Sequence, residues 1–180
     1  MLRFLFVFSL FFVFKSDTIQ ELSWTENYKL TWEDFKGKPN QETDAVAITA
    51  SGLTFSYSIN KTPQKVHSFK TLVKAHFYPE HSWCKKEMVD DHILKHEQLH
   101  FDITELHARK FRKRITTLKP TLDLNEKLND LHQEINKELA AFQDTYDTQT
   151  DNSINKEAQL NWQKEVAKQL KALEKFKSKS

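Results

Sequence analysis

His96-Glu97-Gln98-Leu99-His100 reads H-E-x-x-H, a spacing in which two histidines and an acid can build a hydrolytic metal site. On a helix, four residues make close to one turn. Both imidazoles then leave one face with their bases about 6 Å apart, where they can share one Zn²⁺. Glu97 is turned about 100° from His96, beside the coordination position that water fills. A bound zinc ion brings the pKa of that water towards ~7, the carboxylate takes the proton, and the hydroxide attacks a carbonyl polarised by the same ion. In a chain with this histidine and glutamate content, chance places the pattern somewhere about 3% of the time.

Two protein ligands leave a catalytic zinc site one short. His107 lies seven residues beyond His100, about 10 Å along a continuous helix, which is too far to share the ion. Leu106 occupies the position at which the longer motif places its third histidine. His92, one turn upstream, reads as a solvated neighbour. The third ligand is therefore expected from the helices after Pro120 or from the polar segment between them.

The elements that must hold this motif are legible from periodicity. From about Val89 to Leu118, Ile93, His96, His100, Thr104, His107 and Phe111 recur at helical intervals and form one stripe, which Pro120 ends. On the other side of that helix, Asp102, Glu105 and Arg109 stand at i+3 and i+4 spacings and read as a structural ion-pair strip. A second helix is predicted over Leu122 to Phe142, with Leu124, Leu128, Leu131, Ile135, Leu139 and Phe142 as its apolar face. The polar stretch Thr145 to Ser153 follows, then a third helix from Ile154 to Phe176. Ahead of the motif, Leu53, Phe55, Tyr57 and Ile59 alternate with Thr54, Ser56 and Ser58, the pattern of a half-buried strand. A partner strand over Phe69 to Phe77 follows the loop Asn60 to Gln64, giving an antiparallel hairpin. Trp24, Tyr28, Trp32 and Phe35 belong to an extended entry segment that covers the core. The expected fold is one α+β domain: a small antiparallel sheet followed by three long helices, with the H-E-x-x-H motif on the first.

The start of the chain reads as a targeting signal. Arg3 supplies a positive charge, and Phe4 to Phe14 is an apolar run of eleven residues, well short of the roughly 20 that a spanning helix needs. Residues 1–16 are therefore expected to be a signal peptide and 17–180 the mature domain. No Ala-x-Ala site follows, which leaves a signal anchor as the alternative; after cleavage no stable membrane insertion is expected. A net charge of +2 and the absence of a basic stripe argue against nucleic acid. Cys84 is the single cysteine, so no intrachain disulfide can form.

The sequence resembles a bacterial family of uncharacterised exported proteins described as secreted zinc-dependent proteases. The resemblance rests on Leu30 to Gly37, Phe77 to Trp83, His96 to Glu105 with Ala108-Arg109, and late in the chain Tyr146-Asp147, Thr150, Asn155, Gln159 and Trp162. It implies a zincin-like peptidase with His96 and His100 as ligands, Glu97 as general base, and Phe69 to Phe77 as the edge strand that would hold an extended substrate. It further implies a histidine after Tyr-Asp-x-x-Thr-x, where this chain has Asn152. Neutral asparagine is a poor zinc ligand, so Asp147 or Asp151 would have to substitute, or binding would weaken. Tyr146 is then a candidate hydrogen-bond donor to the oxyanion, or simply an aromatic packed at a helix end. The functional expectation is an exported, secreted or periplasmic, metallopeptidase acting on peptide or protein. The alternatives are a degenerate, non-catalytic zincin-like binding protein, and a hydrolase of a non-peptide bond.

Overall fold

The structure, a computed structural model, describes residues 20–178. The expected signal peptide over residues 1–16 lies outside them. Two short strands, β1 (Leu22–Ser23) and β2 (Ala47–Ile48), precede a long hairpin of β3 (Ser51–Lys61) and β4 (Val66–Phe77), and β5 (Trp83–Cys84) follows. Three helices complete the chain: α1 (Asp91–Ile115), α2 (Leu124–Thr150) and α3 (Lys156–Ala172). All pairing is antiparallel. One sheet runs in the order β1-β4-β3, and β2 pairs with β5. The architecture is α+β, a small antiparallel sheet with three helices, as the periodicity predicted.

The hairpin register pairs Leu53 with Ala75 and Phe55 with Val73, so apolar residues of both strands share one face. That face receives α1, where Phe55 and Phe111 meet with ring centroids 4.8 Å apart and Phe77 meets Phe101 at 5.8 Å. A second apolar cluster joins Leu99, Ile103 and Leu106 of α1 to Leu139 and Tyr146 of α2 and Val166 of α3. The motif helix is thus covered on several sides, and from His96 onwards most of its residues are buried. Its start is fixed by Asp90, whose carboxylate accepts the backbone N–H of Ile93 at 2.8 Å.

Three expectations change. The second helix does not end near Phe142. It continues through the polar stretch to Thr150, because Leu139, Tyr146 and Thr150 keep the buried face in phase and the Thr145 and Thr150 hydroxyls bond back to the carbonyls four residues earlier. The strand over Phe69 to Phe77 is an edge for only part of its length: His76 and Phe77 lie between β1 and β3, whereas the residues before them pair with β3 alone among the described residues. Among the described residues β3 lacks a strand partner on its outer side along its whole length. The strip of charges on α1 is not one unit either. Asp102 accepts hydrogen bonds from the Trp24 indole at 2.7 Å and from Gln98 at 2.9 Å, whereas Glu105 is fully buried and pairs with Arg109 and Arg112.

Candidate metal centre

The H-E-x-x-H residues sit on the second and third turns of α1, facing α2. The Nε2 atoms of His96 and His100 are 3.2 Å apart. The carboxylate of Asp147, on the last two turns of α2, brings Oδ1 to 3.2 Å from His96 Nε2 and 2.9 Å from His100 Nε2. Three ligand atoms of types that hold zinc therefore converge on one point. In a tetrahedral site with bonds of about 2.0–2.1 Å, donor atoms are about 3.3 Å apart. The observed separations of 2.9–3.2 Å approach that spacing.

The hydrogen bonding around the cluster agrees with this donor set. Asp147 Oδ1 is buried with no well-aligned hydrogen-bond donor, as is His96 Nδ1. Buried polar atoms without partners are uncommon in folded proteins and call for a local explanation; for a carboxylate oxygen facing two imidazoles, a shared cation supplies one. The charges respond to each other. Burial opposes charge on His100, but the Asp147 carboxylate, helped by Glu97 and Gln143, outweighs it and raises the ring's pKa. Burial likewise opposes charge on Asp147, and the two imidazoles overcome it to hold the carboxyl well below the usual range.

Glu97 is 5% exposed and its carboxylate makes no hydrogen bond or ion pair among the described residues. Tyr146 is fully buried and forms a wall of the histidine pair. Its ring stacks on His96 at 4.6 Å and meets His100 edge-on at 5.1 Å. Its hydroxyl lies 3.5 Å from the His96 carbonyl oxygen, against the α1 backbone. Burial, with Glu97 and Asp147 nearby, pushes the phenol pKa far up. The geometry matches the packing reading of this residue, not an exposed donor.

Asn152 stands apart from the converging atoms. It is exposed, in the turn after α2 where Asp151, Asn152 and Ser153 all have positive φ, and its backbone N–H donates to the Asp147 carbonyl at 2.9 Å. That turn is pinned to α1 because His92 Nε2–H donates to the Ser153 carbonyl at 2.7 Å. His92 is thus a tether between the helices and not a solvated neighbour. His107 is a core residue: its Nδ1–H donates to the Ile103 carbonyl at 2.9 Å, its ring meets Phe142, and burial lowers its pKa to about 4. Cys84 is buried and its thiol pKa is raised, chiefly by that burial, which is opposite to what a nucleophile needs.

Two polar neighbours of the site, Gln143 and Ser51, carry no signal in the motif, and Thr104, on its helical stripe, joins them by hydrogen bonds. Gln143 is one helical turn before Asp147, a signal that becomes visible only when α2 is carried past Phe142.

A cavity of about 870 Å³ lies on the far side of α1, walled by Trp24, Leu30, Leu94, Leu99, Val166 and Leu170. None of His96, Glu97, His100 or Asp147 lines it.

Comparison with known proteins adds a family and no activity. No curated protein and no solved structure matches the chain. A family model described as a bacterial protein of unknown function (DUF922) matches residues 26–153, from the entry segment to the turn that holds Asn152. That match spans well over half of the sequence and includes both histidines, Glu97 and Asp147, so the chain belongs to this bacterial family of unknown function.

Proposed function

We propose that the protein is a zinc-dependent hydrolase of zincin type, a metallopeptidase acting on peptide or protein outside the cytoplasm. One observation carries the reading: His96 Nε2 and His100 Nε2 of the H-E-x-x-H helix and Asp147 Oδ1 of α2 meet within 3.2 Å of one another. Asp147 is the ligand that the motif alone does not supply. When bound, zinc would provide Lewis acidity and an acidified water. His96 and His100 offer neutral nitrogen donors, and Asp147 adds one negative charge. Glu97, unpaired and adjacent, is the group that takes a proton from the attacking water and can return it to the leaving nitrogen. Tyr146 holds the two imidazoles in place from behind. Export rests on the apolar leader; in addition, no helix among the described residues is long and apolar enough to cross a membrane.

The exposure of the site supports a second reading, a zinc-binding protein without turnover. His96, Glu97 and His100 are each less than 9% exposed, and only the Asp147 side chain, at 35%, opens appreciably to solvent. One experiment separates the two readings. The purified protein is loaded with zinc, its metal content is measured, and cleavage of a peptide library is compared with that of Glu97→Gln. Stoichiometric zinc with cleavage lost only in the variant supports the enzyme. Stoichiometric zinc with no cleavage in either protein supports the binding protein, and failure to retain zinc removes both.

A further inference from the structure

Between α1, α2 and the start of β3 runs a chain of hydrogen bonds whose direction can be worked out atom by atom. Thr104 Oγ1 lies 3.0 Å from the carbonyl of His100, which can only accept, so the threonine proton is committed there. The same oxygen has two further neighbours, Gln143 Nε2 at 3.3 Å and Ser51 Oγ at 2.7 Å, and both must donate to it. With its amide nitrogen turned to Thr104, Gln143 presents Oε1 to His100 Nδ1 at 2.7 Å. An amide oxygen only accepts, so Nδ1 carries a proton. Asp147 Oδ1, 2.9 Å from Nε2, is also only an acceptor, but it has no aligned hydrogen-bond partner. The shorter, aligned bond to Gln143 therefore keeps the proton on Nδ1 in the neutral ring and leaves the lone pair on Nε2, the atom that faces His96 and Asp147.

We propose that Gln143 is the positioning residue of this centre: by accepting the Nδ1 proton of His100 it confines that ring's lone pair to Nε2. Thr104 keeps the Gln143 amide in the required orientation, and Ser51, the first residue of β3, ties Thr104 to the sheet. His96 lacks an equivalent, since its Nδ1 is buried without a partner. The two histidines therefore differ: His100 is fixed by a polar bond and His96 by the Tyr146 ring stacked on it. Gln143 sits at i−4 from Asp147, so one face of α2 supplies both the carboxylate and the group that orients its neighbour. The proton placement stands on the hydrogen-bond geometry alone; only its effect on zinc affinity rests on the proposed function.

The test uses the full metal-free protein and long-range proton–nitrogen spectra of the imidazoles, recorded where His100 is neutral. Wild type is expected to hold the His100 proton on Nδ1. Gln143→Leu should shift it towards Nε2, and Gln143→Glu, which keeps an acceptor, should retain it on Nδ1. Zinc affinity, read by competition with a chelator, should fall about 10–100-fold in Gln143→Leu and be preserved in Gln143→Glu. A wild-type proton on Nε2 overturns the proposal without recourse to any variant. So does a folded Gln143→Leu protein in which proton position and zinc affinity are both unchanged. If wild type carries the proton on Nδ1 yet binds no zinc, the metal reading fails and the proton placement is upheld.

Discussion

His100 Nε2 and Asp147 Oδ1 lie 2.9 Å apart although 47 residues separate them. The contact exists because α2 extends two turns past Phe142 and returns its C-terminal end to the beginning of α1. The Ser153 carbonyl, bonded to His92, fixes that return.

If this contact marks the third ligand, Asp147→Ala should lose more zinc affinity than the ~10–100-fold that removal of an outer-shell partner costs. Asn152→Ala should leave affinity within a few-fold of wild type, since the Asn152 side chain is exposed and apart from the cluster. Chelator competition on the two variants decides between the residues. Equal losses would return Asn152 to the site.

Removing the proposed base should spare the metal. Glu97→Gln is expected to retain stoichiometric zinc and to lower kcat by about 10²–10⁴-fold, the usual share of general acid–base catalysis. Metal analysis and peptide turnover on the same preparation check both halves.

Tyr146 gives a sharper separation of roles. Its hydroxyl makes only a long contact, so Tyr146→Phe should change stability by less than about 1 kcal/mol and leave turnover intact. Tyr146→Ala removes a fully buried ring between the two histidines and Trp162 and should cost about 3–5 kcal/mol. A large fall in kcat for the phenylalanine variant, with zinc retained, would restore the oxyanion role.

The buried charges of α1 should behave as a unit. Arg109 Nε is 2.8 Å from Glu105 Oε1, and the two residues are 1% and 0% exposed. Arg109→Met leaves Glu105 with Arg112 alone and should destabilise by about 3–5 kcal/mol, measured by chemical denaturation. Adding Glu105→Leu should recover part of that loss, since the buried carboxylate that has lost its nearest partner is then removed.

Acid should weaken the fold through His107. Burial holds its pKa near 4 in the folded protein, against an ordinary 6.5, while Lys110 and Arg114 lower it further and Glu138 and the Ile103 carbonyl oppose them. The unfolded chain therefore binds a proton first. This contribution to stability is complete above pH 6.5, declines as pH falls, and is lost by about pH 4; it amounts to about 3 kcal/mol. Denaturation of wild type and His107→Phe across that range should show a shallower decline in the variant.

What could be read in advance follows from the range of the forces involved. Helical geometry is local, so the spacing of His96 and His100 alone aligned two imidazoles on one face with Glu97 beside them. Alternation and i+3/i+4 recurrence likewise announced the β3–β4 hairpin and the three helices, because each pattern reflects a face that must be buried. The polar run from Thr145 to Thr150 gave no such warning. Its helix is held by Tyr146 and Thr150 packing into the interior and by threonine hydroxyls satisfied within the helix itself. The convergence of Asp147 on the two histidines, the orientation of Gln143 and the tether from His92 to Ser153 were decided only by tertiary structure. Each depends on where two helices, joined by a short connection after Ile115, cross in space, and no local periodicity encodes the distance between side chains on different helices.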